Sequence, residues 1–198
     1  MSCTSEIKKN RDVFVIATYD DVTDWDPATA YSLEVLPMSN MYEPLLWMDA
    51  SGEEHKMTPG LATSYTKSDD GLLWTFELRK NVYFHDGQRF NADAVKYVVD
   101  RNKSRYLGAS YIWSNVKEVR VDEEHRVTFI LDKAVPLDRI VSSQYGAWMY
   151  SSSIESVSED SLNHGFGSGT GPYQLKKWVR NKHILLEKFD KYWRGWEQ

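Results

Sequence analysis

PGLATSYTKSDDGLLWTFELRKNVYFHDGQRFNADAVKYVVD, residues Pro59 to Asp100, is the stretch whose reading decides the fold. Lys67-Ser68-Asp69-Asp70-Gly71 is a turn signal, because Asp and Ser bond their own backbone and Gly accepts positive φ. After it Trp74, Phe76 and Leu78 alternate with Thr75, Glu77 and Arg79, the period-two pattern of a strand with one buried and one wet face. A second turn follows at His85-Asp86-Gly87. Asn91 then stands as a helix N-cap with Asp93 in the first turn, and Ala94, Val95, Val98 and Val99 form an apolar stripe at helical spacing. The stretch therefore reads as strand, turn, strand, turn, helix.

To its C-terminal side a second hairpin is expected. Val116, Val119 and Val121 lead into Asp122-Glu123-Glu124-His125, and Val127, Phe129 and Leu131 return in alternation. Pro136 marks a short helix start before Leu137, Ile140 and Val141. Residues 151–168 form a Ser-rich connector ending in Gly, a composition shift that suggests a boundary. A last hairpin runs from Tyr173 to Val179 and from His183 to Phe189 around Arg180-Asn181-Lys182. To the N-terminal side, residues 1–12 are polar and read as a disordered tether. Val13 to Thr18 reads as a buried strand, and Tyr19-Asp20-Asp21-Val22-Thr23-Asp24-Trp25-Asp26-Pro27 as a carboxylate-rich loop. A helix is expected from Ser32, started or kinked by Pro37. Trp47 to Gly52 reads as a reversal of the chain.

The run W-T-F-x-L-R-x-x-V-x-F-x-D-G-x-x-F-x-A-D-A-V, from Trp74 to Val95, resembles the signature of the family 5 extracellular solute-binding proteins, receptors of ABC importers for dipeptides, oligopeptides and nickel. Three outlying pieces stand in the family's order: Asn40-Met41-Tyr42-Glu43-Pro44-Leu45-Leu46, Gly169-Thr170-Gly171-Pro172-Tyr173 and Asp190-Lys191-Tyr192-Trp193. The resemblance implies an α/β fold of the class II periplasmic-binding-protein type. Residues 13–40 and 165–198 would then belong to lobe I, and 41–164 to an appended mixed α+β domain. Family members continue through a second lobe that closes over the ligand. That lobe is absent from these 198 residues, so the chain is expected to be an N-terminal portion.

Composition agrees with a globular domain: 41% hydrophobic and 27% charged residues. The 14% of aromatic residues, including eight Trp and twelve Tyr, can serve a packed core or line a cavity. A net charge of −5 with no basic run argues against a nucleic-acid partner. No apolar run is long enough to cross a bilayer, and MSCTSEIKKNRD lacks the apolar centre of a signal peptide. Cys3, the only cysteine, rules out an intrachain disulfide. Two readings of it stand: a free thiol in a disordered tail, or, as the resemblance implies, the lipidated cysteine of a processed bacterial lipoprotein at the outer face of the cytoplasmic membrane. In either case the resemblance implies an extracytoplasmic or periplasmic location.

Catalytic motifs fail one by one. Gly165-Phe166-Gly167-Ser168-Gly169-Thr170-Gly171 misses both G-x-G-x-x-G and G-x-S-x-G. Histidines 55, 85, 125, 164 and 183 are scattered, with no metal-ligand spacing, and His85 and His125 read as solvated turn residues. No enzyme, metal or cofactor is expected. Asp20 follows a buried strand, the place where ligands sit in open α/β sheets. It can receive the α-amino group of a peptide, or, with Asp21, Asp24 and Asp26, merely build turns and a cap. By resemblance this loop, with Tyr19, Asp20 and Asp21, lines the ligand cleft, as do Tyr111, Tyr145 and Trp148 of the appended domain. Tyr42, Glu43, Trp74, Pro172 and Tyr173 read as structural. The implied partners are a peptide or other small solute and the permease subunits of an ABC transporter, with the receptor itself a monomer. Nickel or a metal chelate, a hydrolase and an interaction module are the alternatives.

Overall fold

The structure is a computed structural model and describes residues 13–52, 56–158, 161, 165 and 167–196. The deciding stretch forms β3 (Ala62–Lys67), β4 (Leu73–Leu78) and α2 (Ala92–Arg105). In the turn, Gly71 takes φ of 70° and its N–H donates to Ser68 O at 2.9 Å, while the Ser68 hydroxyl donates to Asp70 at 2.6 Å. β4 also pairs with β6 (Arg126–Leu131), and β6 with β5 (Val116–Glu123), giving an antiparallel sheet of order β3-β4-β6-β5.

One face of this sheet is the floor of the core. Phe76 and Phe129 meet edge to face at 5.4 Å, and Trp113 stacks on Phe129 at 6.2 Å. α2 packs on that face through Val95, Val98 and Val99, all 0% exposed. The Asn91 side chain accepts from Ala94 N–H at 3.0 Å, the cap its sequence position predicts. Burying each valine is worth about 1.5–3 kcal/mol, against about 0.3–0.5 kcal/mol for the exposed Lys96–Asp100 pair. Packing rather than surface charge therefore holds the helix in place. The opposite face of the sheet is polar: Thr75 and Thr128 hydroxyls meet at 2.8 Å, and Arg126 reaches Glu77 at 2.6 Å.

Two smaller hairpins complete the strands. β7 (Tyr173–Val179) and β8 (His183–Lys188) pair as their sequence predicts, with Asn181 at φ of 58° in the turn. β1 (Leu46–Asp49) and β2 (Lys56–Pro59) also pair, where only a reversal is expected from the sequence. 3-10 turns span Ser110–Trp113 and Ser152–Ser156, and α3 is the single turn Leu137–Ile140 after Pro136.

Two expectations are corrected. Val13–Thr18 is not a buried strand: it is irregular, with Phe14 87% and Val15 81% exposed, and no strand among the described residues pairs with it. An extended apolar run becomes a strand only when a neighbour completes its ladder. The helix from Ser32 shrinks to α1 (Val35–Met38), with Pro37 inside the single turn. There Pro37 lacks no needed bond, because first-turn N–H groups have no intrahelical acceptor. The tether at 1–12 with Cys3, and His55, His164 and Phe166, lie outside the described residues.

Candidate functional site

The acidic loop folds on its own carboxylates. Asp24 accepts from Asp26 N–H at 2.8 Å and from the Thr29 hydroxyl at 2.6 Å. Glu34 reaches back to accept from Thr23 N–H, the Thr23 hydroxyl (2.7 Å) and Ser32 N–H (2.9 Å). Burial alone would raise the Glu34 carboxyl, but these donors outweigh it and hold it below its ordinary value. Asp24 has fewer donors and two acidic neighbours, and burial pushes its carboxyl up.

Asp26 then bolts the loop to the core. Its two oxygens take a fork from Arg101 of α2, both bonds at 2.8 Å, and both side chains are buried. Arg101 also lies 3.3 Å from the Tyr150 hydroxyl, which donates to Asn102 at 2.5 Å, and Asn102 donates to Gly146 O at 2.7 Å. Gly146 (φ 73°) sits against Ala109, and Gly108 (φ 54°) against the Thr29 carbonyl, where an added Cβ would lie 2.4 Å from the oxygen. These two glycines let three loops touch.

The contact gathers three tyrosines at the surface. The Tyr31 and Tyr111 hydroxyls are 3.3 Å apart, and the Tyr31 and Tyr145 rings are 5.1 Å apart at 54°. Tyr31 is 52% and Tyr111 63% exposed, while Tyr145 is half-buried. The bond to Tyr31 raises the Tyr111 phenol, so the Tyr111 hydroxyl is a neutral donor and acceptor at physiological pH. Such a cluster offers ring faces and hydroxyls together, the pairing that suits an amphipathic organic solute.

The residues singled out in the sequence therefore separate. Tyr111 and Tyr145 come together, joined by Tyr31, which the sequence reading missed; its neighbours Ala30 and Ser32 gave no pattern to mark it. Tyr19 is 90% exposed on the approach to the loop, and Asp20 is exposed, its carboxylate accepting, among the described residues, only from Asp21 N–H. Asp21 is a correction: its carboxylate accepts from Trp178 Nε1 at 2.9 Å and from Asn181 N–H at 2.6 Å, tying the loop to the β7–β8 turn. Burial would raise this carboxyl, yet the donors from Asn181, Trp178 and Val22 hold it below its usual value. Three of the roughly four lone-pair sites of this carboxylate are thus taken by the protein itself, which makes Asp21 first of all a structural tie. Trp148 is a second correction, since it is 0% exposed beneath Tyr42, with ring centres 5.9 Å apart. Among the described residues no group of three or more His, Cys, Asp or Glu side chains is placed to hold a metal ion.

The signature pieces meet elsewhere, at Glu43. One oxygen accepts from the Tyr192 hydroxyl at 3.0 Å; the other accepts from Trp193 Nε1 at 2.7 Å and Thr170 Oγ1 at 3.0 Å. Arg79, at the end of β4, lies over the Trp193 ring at 4.1 Å. Burial raises the Glu43 carboxyl in spite of these three donors. Gly169 and Gly171 run past the backbone of residues 40–41 so closely that Cβ atoms there would lie 2.0 Å from Met41 O and 2.6 Å from Asn40 O. His85 is a further correction: instead of being solvated it bonds this same segment through both ring nitrogens.

Known proteins share this architecture. The family described as bacterial extracellular solute-binding proteins, family 5 Middle, matches residues 56–198. The glutathione-binding protein GsiB of Salmonella choleraesuis (strain SC-B67) is 32% identical over 183 residues, which make up 90% of this chain and 35% of that protein. Among solved structures, NikA from Brucella suis in complex with Fe(III)-EDTA is similar with a TM-score of 0.74 and 28% identity, covering 88% of this chain and 35% of that one. DppA from Helicobacter pylori in complex with the peptide STSA gives a TM-score of 0.72 and 26% identity, covering 88% and 38%. The chain thus spans about a third of the length of these relatives.

Proposed function

The chain belongs to the bacterial extracellular solute-binding proteins, family 5, and from that premise we propose that it is the capturing part of an ABC importer's receptor for small peptides, glutathione-sized ones first. The observation that carries this reading is the 32% identity to a glutathione-binding protein over 90% of the chain. Tyr31, Tyr111 and Tyr145 form one wall of the ligand site, and Asp20, whose carboxylate keeps free lone pairs, takes the peptide's ammonium group. Residues 13–40 with 165–198 belong to one lobe and 41–164 to the appended domain. Ligand contact with both lobes of the whole receptor would stabilise a closed state that a permease recognises. The protein works outside the cytoplasm, with Cys3 as its lipid anchor and no catalytic step; an unmodified Cys3 in the intact mass of membrane-purified protein would remove the anchor.

The test is an NMR titration of the 198-residue chain with glutathione, the peptide Ser-Thr-Ser-Ala and a nickel–histidine complex. Peptide-induced shifts centred on Tyr31, Tyr111 and Tyr145 at millimolar ligand are the expected outcome. Shifts elsewhere, or none, would refute the assigned wall. Shifts with the nickel complex alone would favour the second reading, a metal-chelate receptor, which the 28% identity to NikA supports.

A further inference from the structure

His85 occupies the tip of the turn between Phe84 and Gln88, and this turn grips residues 168–171 along their length. Its own N–H donates to Gly169 O at 2.9 Å, and the Asp86 N–H donates to Ser168 Oγ at 3.0 Å. The ring adds two more bonds of opposite sense. Gly169 N–H points at Nδ1, 3.3 Å away, which must therefore carry a lone pair. Nε2 faces the Gly171 carbonyl at 3.0 Å, which only accepts, so Nε2 carries the proton. The pattern needs one neutral tautomer. A second proton on Nδ1 would set two N–H donors against each other and break the bond to Gly169.

We propose that His85 is a proton-sensitive latch: as the external pH falls, protonation at Nδ1 breaks the bond from Gly169 N–H and frees that amide to open, loosening the joint that the Glu43 cluster and the β7 entry share. The other holds on the segment do not depend on that proton: Ser151 N–H bonds Ser168 O at 2.9 Å, and the His85 and Asp86 backbone bonds given above remain. Gly171 N–H bonds Met41 O and Tyr173 N–H bonds Asn40 O, while the Gly169 N–H has, among the described residues, His85 alone.

The surroundings decide whether the proton is resisted at neutral pH. The ring packs edge-on against Phe189 at 4.9 Å. The segment it bonds contains no ionisable side chain; behind it Glu43 is engaged with Thr170, Tyr192 and Trp193. Beside Phe189, Lys188 and Asp190 lie 3.9 Å from each other, and Lys188 covers Trp196. On its own turn Asp86 favours the imidazolium, but its carboxylate accepts from the Ser153 hydroxyl and Gln88 N–H. Burial outweighs Asp86 and the bond to Gly171 and lowers the ring's pKa below its ordinary value. The opened state takes up its proton near pH 6.5 while the latched state resists it, so opening is favoured as pH falls below about 6.5.

The test begins with the wild-type 198-residue chain and two NMR readings. Long-range nitrogen correlations of the His85 ring are expected to show the Nε2–H tautomer at pH 7.5. The Gly169 amide protection factor, corrected for intrinsic exchange, is expected to fall by up to about tenfold per pH unit below about 6.5, in step with the His85 titration. H85Q keeps one donor and one acceptor and cannot titrate, so its Gly169 protection should be flat between pH 7.5 and 5. An Nδ1–H tautomer, a pH-independent Gly169 protection in the wild type, or a wild-type fall that H85Q reproduces would each overturn the latch. Should H85Q fold poorly, the tautomer and the coincidence of the two wild-type curves decide alone.

Discussion

Replacing Glu43 separates two roles that a buried carboxylate can play. In E43A three donors lose their acceptor at once. Thr170 is 0% exposed, and an unsatisfied donor at such a site costs about 1–3 kcal/mol; Tyr192 and Trp193 are half-buried, where water recovers part of the loss, about 1 kcal/mol each. E43A should therefore destabilise the chain by about 3–5 kcal/mol. E43Q keeps one oxygen for Thr170 and Trp193 and turns its amide toward the Tyr192 hydroxyl, which can rotate to accept. It loses charge assistance, but it also removes the cost of holding a charge in a site that raises the carboxyl. The net change should be about 1 kcal/mol or less. The sign with pH follows from the raised value: the folded chain holds this proton more tightly than the unfolded chain, whose group titrates near 4.5. Wild-type stability should fall relative to E43Q as pH rises from about 4.5 through the folded value, then stay level. Urea unfolding followed by tryptophan fluorescence measures all three proteins, because Trp193 itself reports on the site. The reasoning is refuted if E43Q costs as much as E43A, or if the wild-type advantage over E43Q grows with pH.

Three further substitutions probe the rest of the frame. R101A leaves the Asp26 carboxylate buried without its fork and should cost about 3–5 kcal/mol in urea unfolding, and the cross-peaks between the Tyr31 and Tyr145 rings should vanish from NOE spectra. N91A removes a single N-cap bond and should cost about 1 kcal/mol, read as a lower urea midpoint at unchanged slope. G169A drives a methyl group onto Met41 O and should cost about 1–3 kcal/mol or more, read in the same urea unfolding.

The sequence carried the fold wherever local chemistry and tertiary packing agree. The β3–β4 turn, the α2 cap and the β5–β6 and β7–β8 hairpins each announce themselves within about ten residues. What escaped was whatever depends on distant partners. β1–β2 has no strict alternation, because Trp47 and Met48 differ in exposure only through what covers them. Val13–Thr18 has the composition of a core strand, yet composition cannot supply a neighbour. At the site, Asp21 and Asp20 are indistinguishable as letters, and only the β7–β8 turn, some 160 residues on, makes one a structural tie and leaves the other available. His85 reads as a solvated turn residue for the same reason: both ring partners lie more than 80 residues away.

That separation has a consequence for the order in which the molecule forms. The donors to Glu43 stand 127, 149 and 150 residues further along the chain, whereas β3, β4 and α2 find their first contacts within a few turns of sequence. Loop-closure entropy makes such distant pairings late ones. On a ribosome Glu43 emerges long before Thr170, Tyr192 and Trp193 have been synthesised, and its carboxylate stays hydrated until they arrive. The seam it closes is thus a late stitch of folding: substitutions there should speed unfolding and leave the refolding rate of the sheet and α2 nearly unchanged.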